Sequence, residues 1–418
     1  MSNSFKLTGI KTLFLSAALL SSVMTADALA VQAKLSFLAA EYSAASLPFW
    51  EKQVAAFEKA NPDIDVTLEV VGWSGMHDNT TAQRIAANQM PDLVNTATIW
   101  VPEWAGADAI QALGPDLASD AFKAGFVPAL FEKGAEYNGK TWGLPIAAAA
   151  RALFYNTDLF EKAGLDPDKP PKTWDEFKKA VLQIKEKTGA FGFAFDAKGV
   201  RAFHHFGFFP WNNGGDFFDA KGKAIFNSQA GVEALTLLVE LAKSGAVPDP
   251  TGTTLEEFQP MFEAQRVATM VDGNFAIAGI NKNAPGLKYA IAPVPVKSDS
   301  TAPVTWGVTD TLVISKKAPA DASRRFMEYI FSPEVRTEFD SKEGMLPVLT
   351  VQAGDLAFSD PKTVAFMQMI PVSRFDPLHP NYAQMQELVK VAMQSAIGGE
   401  DPKAPLDKAA VEFDKLVK

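Results

Sequence analysis

The chain contains no cysteine in 418 residues. That excludes disulfides, thiolate metal sites and a cysteine nucleophile, and with them a lipid joined through an N-terminal cysteine. Histidine is nearly as scarce, with His77, His204, His205 and His379 as the whole set. No H-E-x-x-H, G-x-S-x-G, phosphate-loop or G-x-G-x-x-G pattern occurs, and "GWSGM" from Gly72 falls one residue short of a nucleophile elbow. Read as a strand, the adjacent His204 and His205 face opposite ways and share no metal. No metal and no cofactor are expected. Carboxylates are plentiful, yet no local motif singles out a glycosidase pair. Positive charge is in deficit as well: the formal net charge of -10 favours neither nucleic acid nor an anionic membrane.

Long apolar runs are missing except at the start. Lys6 and Lys11 precede "TLFLSAALLSSVM", and "TADALA" ends in Ala28-x-Ala30, the small-residue pattern of a cleavable secretory signal. Residues 1–30 are read as that signal, too short an apolar run to span a bilayer. Removing Lys6, Lys11 and Asp27 takes the net charge from -10 to about -11. An exported, disulfide-free protein with no lipid anchor is expected to be free in the periplasm.

What remains is too long for one ordinary core, so two domains are expected. Trp50, Val54 and Phe57 mark a helical face that Asn61-Pro62 stops, and Ile64, Val66, Leu68 and Val70 alternate as a strand. Strand, helix, strand is the unit of a parallel α/β sheet. A further helix ends at Pro91, with a strand from Asp92. "PPKTWDEFKKAVLQIKEKTG" carries a Thr173/Glu176 capping box, an apolar stripe of Trp174, Phe177, Val181 and Ile184, and a Gly189 stop. Ser228 caps another helix, and Ser332-Pro333 opens a third. No repeat or flexible linker appears, so ordered strands are expected to cross between the domains.

Of the eight tryptophans, Trp50 and Trp174 read as core. Trp73, Trp100, Trp211 and Trp306 stand near strand ends or loops among Gly, Asn and Thr. A flat ring with polar neighbours suits the C–H face of a sugar, although core packing is the ordinary role of each ring. One charge interrupts the apolar stretch "GLPIAAAARALFYN": Arg151. It suits either hydroxyl recognition or an ion pair at an interface.

The stretches "FWEKQVAAFEKANPDIDVTLE", "MPDLVNTATIWVPEWAGADAIQAL", "YNGKTWGLPIAAAARALFYNTDLFEKAGLDPDKPPKTWDEF", "FEAQRVATMVDGNFAIAGI" and "SPEVRTEFDSKEGMLPV" follow one another in an order that resembles the periplasmic solute-binding proteins of carbohydrate ABC importers, the maltose-binding-like group. The resemblance implies an α/β fold of two lobes, each a mostly parallel sheet flanked by helices, with a hinge of crossing strands. Carried onto this chain, lobe one is 31–149 and 303–355, and lobe two is 150–302 and 356–418. It implies a ligand between the lobes, touched by Glu41, Tyr42, Trp73, Thr96, Thr98, Arg151, His205, Trp211, Asp272, Asn274, Phe275, Trp306, Gly307 and Arg374. It also implies a monomer that does no chemistry and hands its ligand to an inner-membrane permease with an ATPase. The chain departs from the pattern at Ala149, where many sugar binders carry an acid, and at Phe275, where tryptophan is usual. Both departures weigh against a maltose-like ligand. They leave another sugar, a sugar alcohol, or a glycerol-phosphate-type ligand held by Arg151 or Arg374. A secreted carbohydrate hydrolase is the rival from another class.

Overall fold

The computed structural model describes residues 32–73, 79–134, 136–199 and 202–417. The signal-peptide reading and His77 lie outside the described residues. The strands are β1 (Ala33–Glu41), β2 (Ile64–Gly72), β3 (Leu93–Ala97), β4 (Ile110–Gln111), β5 (Glu136–Tyr137), β6 (Lys140–Thr141), β7 (Gly143–Asn156), β8 (Thr269–Gly273), β9 (Tyr289–Ala292), β10 (Thr305–Ser315) and β11 (Ser373–Phe375).

The opening unit forms as its pattern dictates. β1 pairs in parallel with β2, and the helix Ser46–Ala60 between them buries Phe49, Trp50, Val54 and Phe57. β3 joins the other edge of β1, again in parallel. Beyond β3 the direction changes. β10 runs antiparallel to both β3 and β7, and β7 runs antiparallel to β8 and β9. The path through the sheet is β2-β1-β3-β10-β7-β8, with β4 and β11 on β10 and β9 on β7. Parallel pairing thus holds in the βαβ start and again where β11 joins β10, whereas β10 and β7 pair antiparallel with each other and with β3, β8 and β9.

β7 makes the crossing. Its residues from Gly143 to Ala150 pair with β10, and those from Arg151 to Asn156 pair with β8 and β9. A strand buried on both faces needs an unbroken apolar run, and Arg151 is the one residue of β7 that is not fully buried.

The apolar interior falls into distinct clusters. The largest runs from Phe37, Trp50 and Phe339 along β7 to Phe154, Phe262 and Met270, so it is continuous past the crossing. A second gathers Trp174, Phe206, Trp211, Leu235, Trp306 and Tyr382. The helix Trp174–Thr188 shows the expected capping box, with the Glu176 N–H donating to Thr173 Oγ1 at 3.3 Å and Gly189 closing it at φ 78°. The helices Gln229–Lys243 and Pro333–Glu343 start after Ser228 and Ser332, which hold the N-cap positions without a side-chain capping hydrogen bond. His204 and His205 sit in the helix Ala202–Trp211, not in a strand. Its sequence, AFHHFGFFPW, is apolar on almost every side because helices and β10 surround it, and such a run has no period to read.

Candidate ligand-binding cleft

On the side of β1–β3, Tyr42 follows the end of β1. Its hydroxyl donates to Asp310 Oδ2 at 2.9 Å and lies 3.3 Å from the Asn95 amide. Burial, then the Asp310 charge, pushes the phenol well above its ordinary value. The ring meets Trp73 edge-on at 5.4 Å, and Trp73 lies 6.5 Å from Trp100. Trp73 is half-buried and Glu41 is exposed. Thr96 and Thr98 turn inward: Thr98 donates to the Thr309 carbonyl at 2.8 Å, and the Thr96 hydroxyl is buried without a partner among the described residues.

At the crossing, Arg151 stands opposite Gly273 in the β7–β8 ladder. Its Nη1 is 3.4 Å from Asp272 Oδ1, and its guanidinium lies 4.8 Å from the Phe275 ring centre. A Cβ on Gly273 would come within 2.7 Å of that Nη1, so the missing side chain is what lets the guanidinium rest on the neighbouring strand. Asn274 accepts from the Ala150 N–H at 3.0 Å and donates to the Gly344 carbonyl at 2.6 Å.

On the other side of the crossing, Arg374 pairs with Trp306 in the β11–β10 ladder. Its guanidinium covers the Trp211 ring at 5.0 Å, and Trp211 packs on Trp306 with ring centres 4.2 Å apart. Arg374 donates to Asp216, whose Oδ1 also accepts from Trp211 Nε1 at 3.1 Å and from the Phe217 N–H at 2.8 Å. Trp306 is fully buried, and its Nε1 donates to Asp376 Oδ2 at 3.1 Å. Tyr382 donates to the same carboxylate, and His204 Nε2 lies 3.3 Å from it. Burial alone would raise the Asp376 carboxyl, but these donors and the His204 charge bring it below the usual range. Gly307 leaves room for Phe375, whose Cε1 lies 2.5 Å from where a Cβ would be. His205 accepts from the Asp196 N–H at 3.3 Å and packs edge-on against Phe258, apart from the Trp211–Trp306 stack.

Three groups therefore assemble from the sequence-predicted residues: Tyr42 with Trp73; Arg151 with Asp272 and Phe275; and Trp211 with Trp306 and Arg374. Thr96, Thr98, His205 and Asn274 serve the interior or the crossing at β7. Asp216, Asp310, Asn95 and Asp376, which hold the ring and guanidinium positions, escaped the sequence reading. Only the "NNGGD" turn before Phe217 hinted at one of them.

Two hollows of ligand size are present, and one of them adjoins the second of these groups. One of about 350 Å³ lies beside Asp272 and Phe275, with Glu256, Gln259 and Asn283 on its walls. Another of about 390 Å³ lies between Pro102–Gly106, the Tyr137 and Trp142 rings, and Pro380. Small-molecule sites usually occupy about 300–1,000 Å³. No group of three or more His, Cys, Asp or Glu side chains fit to hold a metal occurs among the described residues.

The family model of the bacterial extracellular solute-binding proteins matches residues 41–337. A putative binding protein of Brucella abortus is 32% identical over 384 residues, covering 91% of this chain and 92% of the relative. The sn-glycerol-3-phosphate-binding periplasmic protein of Yersinia pseudotuberculosis is 25% identical over 428 residues, covering 92% and 95%. Among solved structures, an ABC transporter solute-binding protein of Thermotoga lettingae bound with alpha-D-tagatose superposes with a TM-score of 0.81 at 24% identity, covering 93% of this chain and 100% of that one. That likeness establishes the two-lobed periplasmic-binding-protein fold. This chain belongs to the bacterial extracellular solute-binding protein family and is a binding protein, not an enzyme.

Proposed function

We propose that the protein captures a carbohydrate or sugar alcohol between its two lobes in the periplasm and delivers it, unaltered, to an inner-membrane ABC permease with its ATPase. The lobes proposed are 31–149 with 303–355, and 150–302 with 356–418. The observation that carries this reading is the crossing at β7. Polar side chains backed by aromatic rings, Arg151 on Phe275 and Arg374 on Trp211, stand on strands that flank β10. Rings and paired donors and acceptors suit the two faces of a sugar, one apolar and one rich in hydroxyls. A ligand that touches both lobes only when they close shifts the population toward the closed form.

A polyol phosphate is the second reading, favoured by the likeness to the sn-glycerol-3-phosphate binder. The test is a panel of sugars, sugar alcohols and their phosphates, followed by thermal melting and small-angle scattering. A ligand is expected to raise the melting temperature by linkage and to reduce the radius of gyration. A protein indifferent to the whole panel in both measurements is not a carbohydrate binder.

A further inference from the structure

We infer that Asp216 and Asp272 set the charge of the ligand: each carboxylate claims one of the two arginines at the strand crossing, so the cleft takes a neutral polyhydroxylated molecule and rejects its phosphate monoester. The inference rests on the carbohydrate-binding reading above.

A phosphate monoester carries about -1.5 to -2 charges at neutral pH. Taken out of water, it requires cationic donors that are not already neutralised. The backbone offers a place for such a pair. Arg374 is the register partner of Trp306 on one side of β10, and Arg151 follows Ala150, the partner of Gly307, on the other. Two strand spacings separate them, about 9.5 Å.

The side chains turn away from that use. Arg374 sends Nη2 to Asp216 Oδ2 and Nη1 to the Gly215 carbonyl at 3.2 Å, and lies flat on Trp211. Asp216 is itself fixed, because its other oxygen takes Trp211 Nε1 and the Phe217 N–H. Arg151 meets different partners, Asp272 and the Phe275 face. Asp272 is fixed by the Gly273 N–H at 2.7 Å and is buried beside it. Asp376, one residue from Phe375, is itself engaged by His204, Trp306 and Tyr382 and leaves both arginines to their own aspartates. Two aspartates thus accompany two arginines. Sugar hydroxyls can donate to such carboxylates at no cost in net charge, whereas a phosphate meets their repulsion.

The two arginine sites repeat one arrangement: a guanidinium stacked on a ring and tied to an aspartate that a backbone N–H holds in place. This makes the aspartates the specificity residues and the arginines their partners. Asp216→Asn keeps an oxygen for Trp211 and Phe217 but removes the charge, and so releases the Arg374 charge toward a ligand.

The test uses the full exported chain and matched pairs, titrated by calorimetry: glycerol and sn-glycerol 3-phosphate, ribitol and ribitol 5-phosphate, glucose and glucose 6-phosphate. A neutral member is expected to bind about 100-fold or more tighter than its phosphate, because a buried anion finds no free cation. Its affinity is expected to change less than about twofold between 20 and 500 mM salt, as befits an uncharged guest. Asp216→Asn is expected to narrow the ratio about tenfold through a gain in phosphate affinity. Asp272→Asn gives the same readout should the first variant misfold. A phosphate that binds the wild type as tightly as its neutral partner overturns the inference and leaves carbohydrate binding standing. Folded variants that bind the neutral ligand without gaining phosphate affinity also overturn it. Binding of neither member of any pair overturns the carbohydrate reading and the inference together.

Discussion

Asn274, just after β8, and Gly344, at the end of the helix Pro333–Glu343, are joined by a hydrogen bond of 2.6 Å from the Asn274 amide to the Gly344 carbonyl. The same side chain accepts from Ala150 in β7. Below it, the Leu346 N–H donates to the Ala148 carbonyl at 2.9 Å, and the buried Arg336 donates to the Ile146 carbonyl at 2.6 Å. The helix Pro333–Glu343 and the turn after it thus grip the crossing strand at Ile146 and Ala148 directly, and at Ala150 through Asn274. Asn274→Ala leaves two backbone groups without this partner. A loss of about 2 kcal/mol in urea unfolding is expected, since buried groups left unsatisfied cost about 1–3 kcal/mol. Asn274→Asp, which keeps only the acceptor, is also expected to destabilise. A loss in Asn274→Ala below about 0.5 kcal/mol, the scale of a neutral surface change, would show that the crossing strand does not need this link.

Gly273 gives a prediction that separates stability from binding. Its Cβ position lies 2.3 Å from Phe275 Cε1 and 2.7 Å from Arg151 Nη1, both side-chain atoms of the proposed site. Gly273→Ala must move one or both, at a cost of about 1–3 kcal/mol for overpacking. Ligand affinity is expected to fall by about tenfold or more, because the displaced groups are those placed for recognition. A variant that melts lower yet binds as the wild type does would remove Arg151 and Phe275 from the ligand's surroundings.

Asp376 supplies the acid limb of stability. Its carboxyl titrates below the usual range when folded, so its contribution is present above about pH 4 and is lost as pH falls through its folded-state value. Asp376→Asn is expected to cost about 2 kcal/mol at neutral pH, as for a hydrogen bond to a charged group. The gap between wild type and variant should shrink in urea titrations carried from pH 6 toward pH 3. A gap that stays constant over that range would mean that the ionised form gains nothing from His204, Tyr382 and Trp306.

The regular elements were legible because their signals are local. The Thr173/Glu176 box, the Ser332-Pro333 start and the alternation from Ile64 to Val70 all sit where they were read. Trp50 and Trp174 are buried as their helical spacing implied. Two features were not legible. The helix Ala202–Trp211 carries no amphipathic period, because partners enclose it. The acids that hold the site, Asp216, Asp310 and Asp376, gain their meaning only from partners distant in sequence, such as Arg374 for Asp216 and Tyr42 for Asp310. For the same reason the burial of Trp211 and Trp306 was hidden: short-range neighbours suggested exposed rings, and the fold stacks one on the other.

Tyr42 supplies the alkaline counterpart of Asp376. Burial first, and then the nearby Asp310 charge, keeps its phenol neutral well beyond the ordinary value of 10.0. A raised folded-state value means that the folded chain holds this proton more tightly than the unfolded chain. The contribution is therefore complete below about pH 10 and is lost as pH rises through the folded value. Tyr42→Phe keeps the ring against Trp73 and Phe339 but deletes the donor to Asp310. At neutral pH the variant is expected to be less stable by about 1 kcal/mol, the net worth of one hydrogen bond. Other buried tyrosines also titrate late, Tyr289 at about 12, so the informative quantity is the difference between the two proteins. That difference should shrink between about pH 10 and 12 as the wild type loses what the variant never had. If the two unfolding curves stay parallel through that range, the phenol of Tyr42 is not held neutral by Asp310.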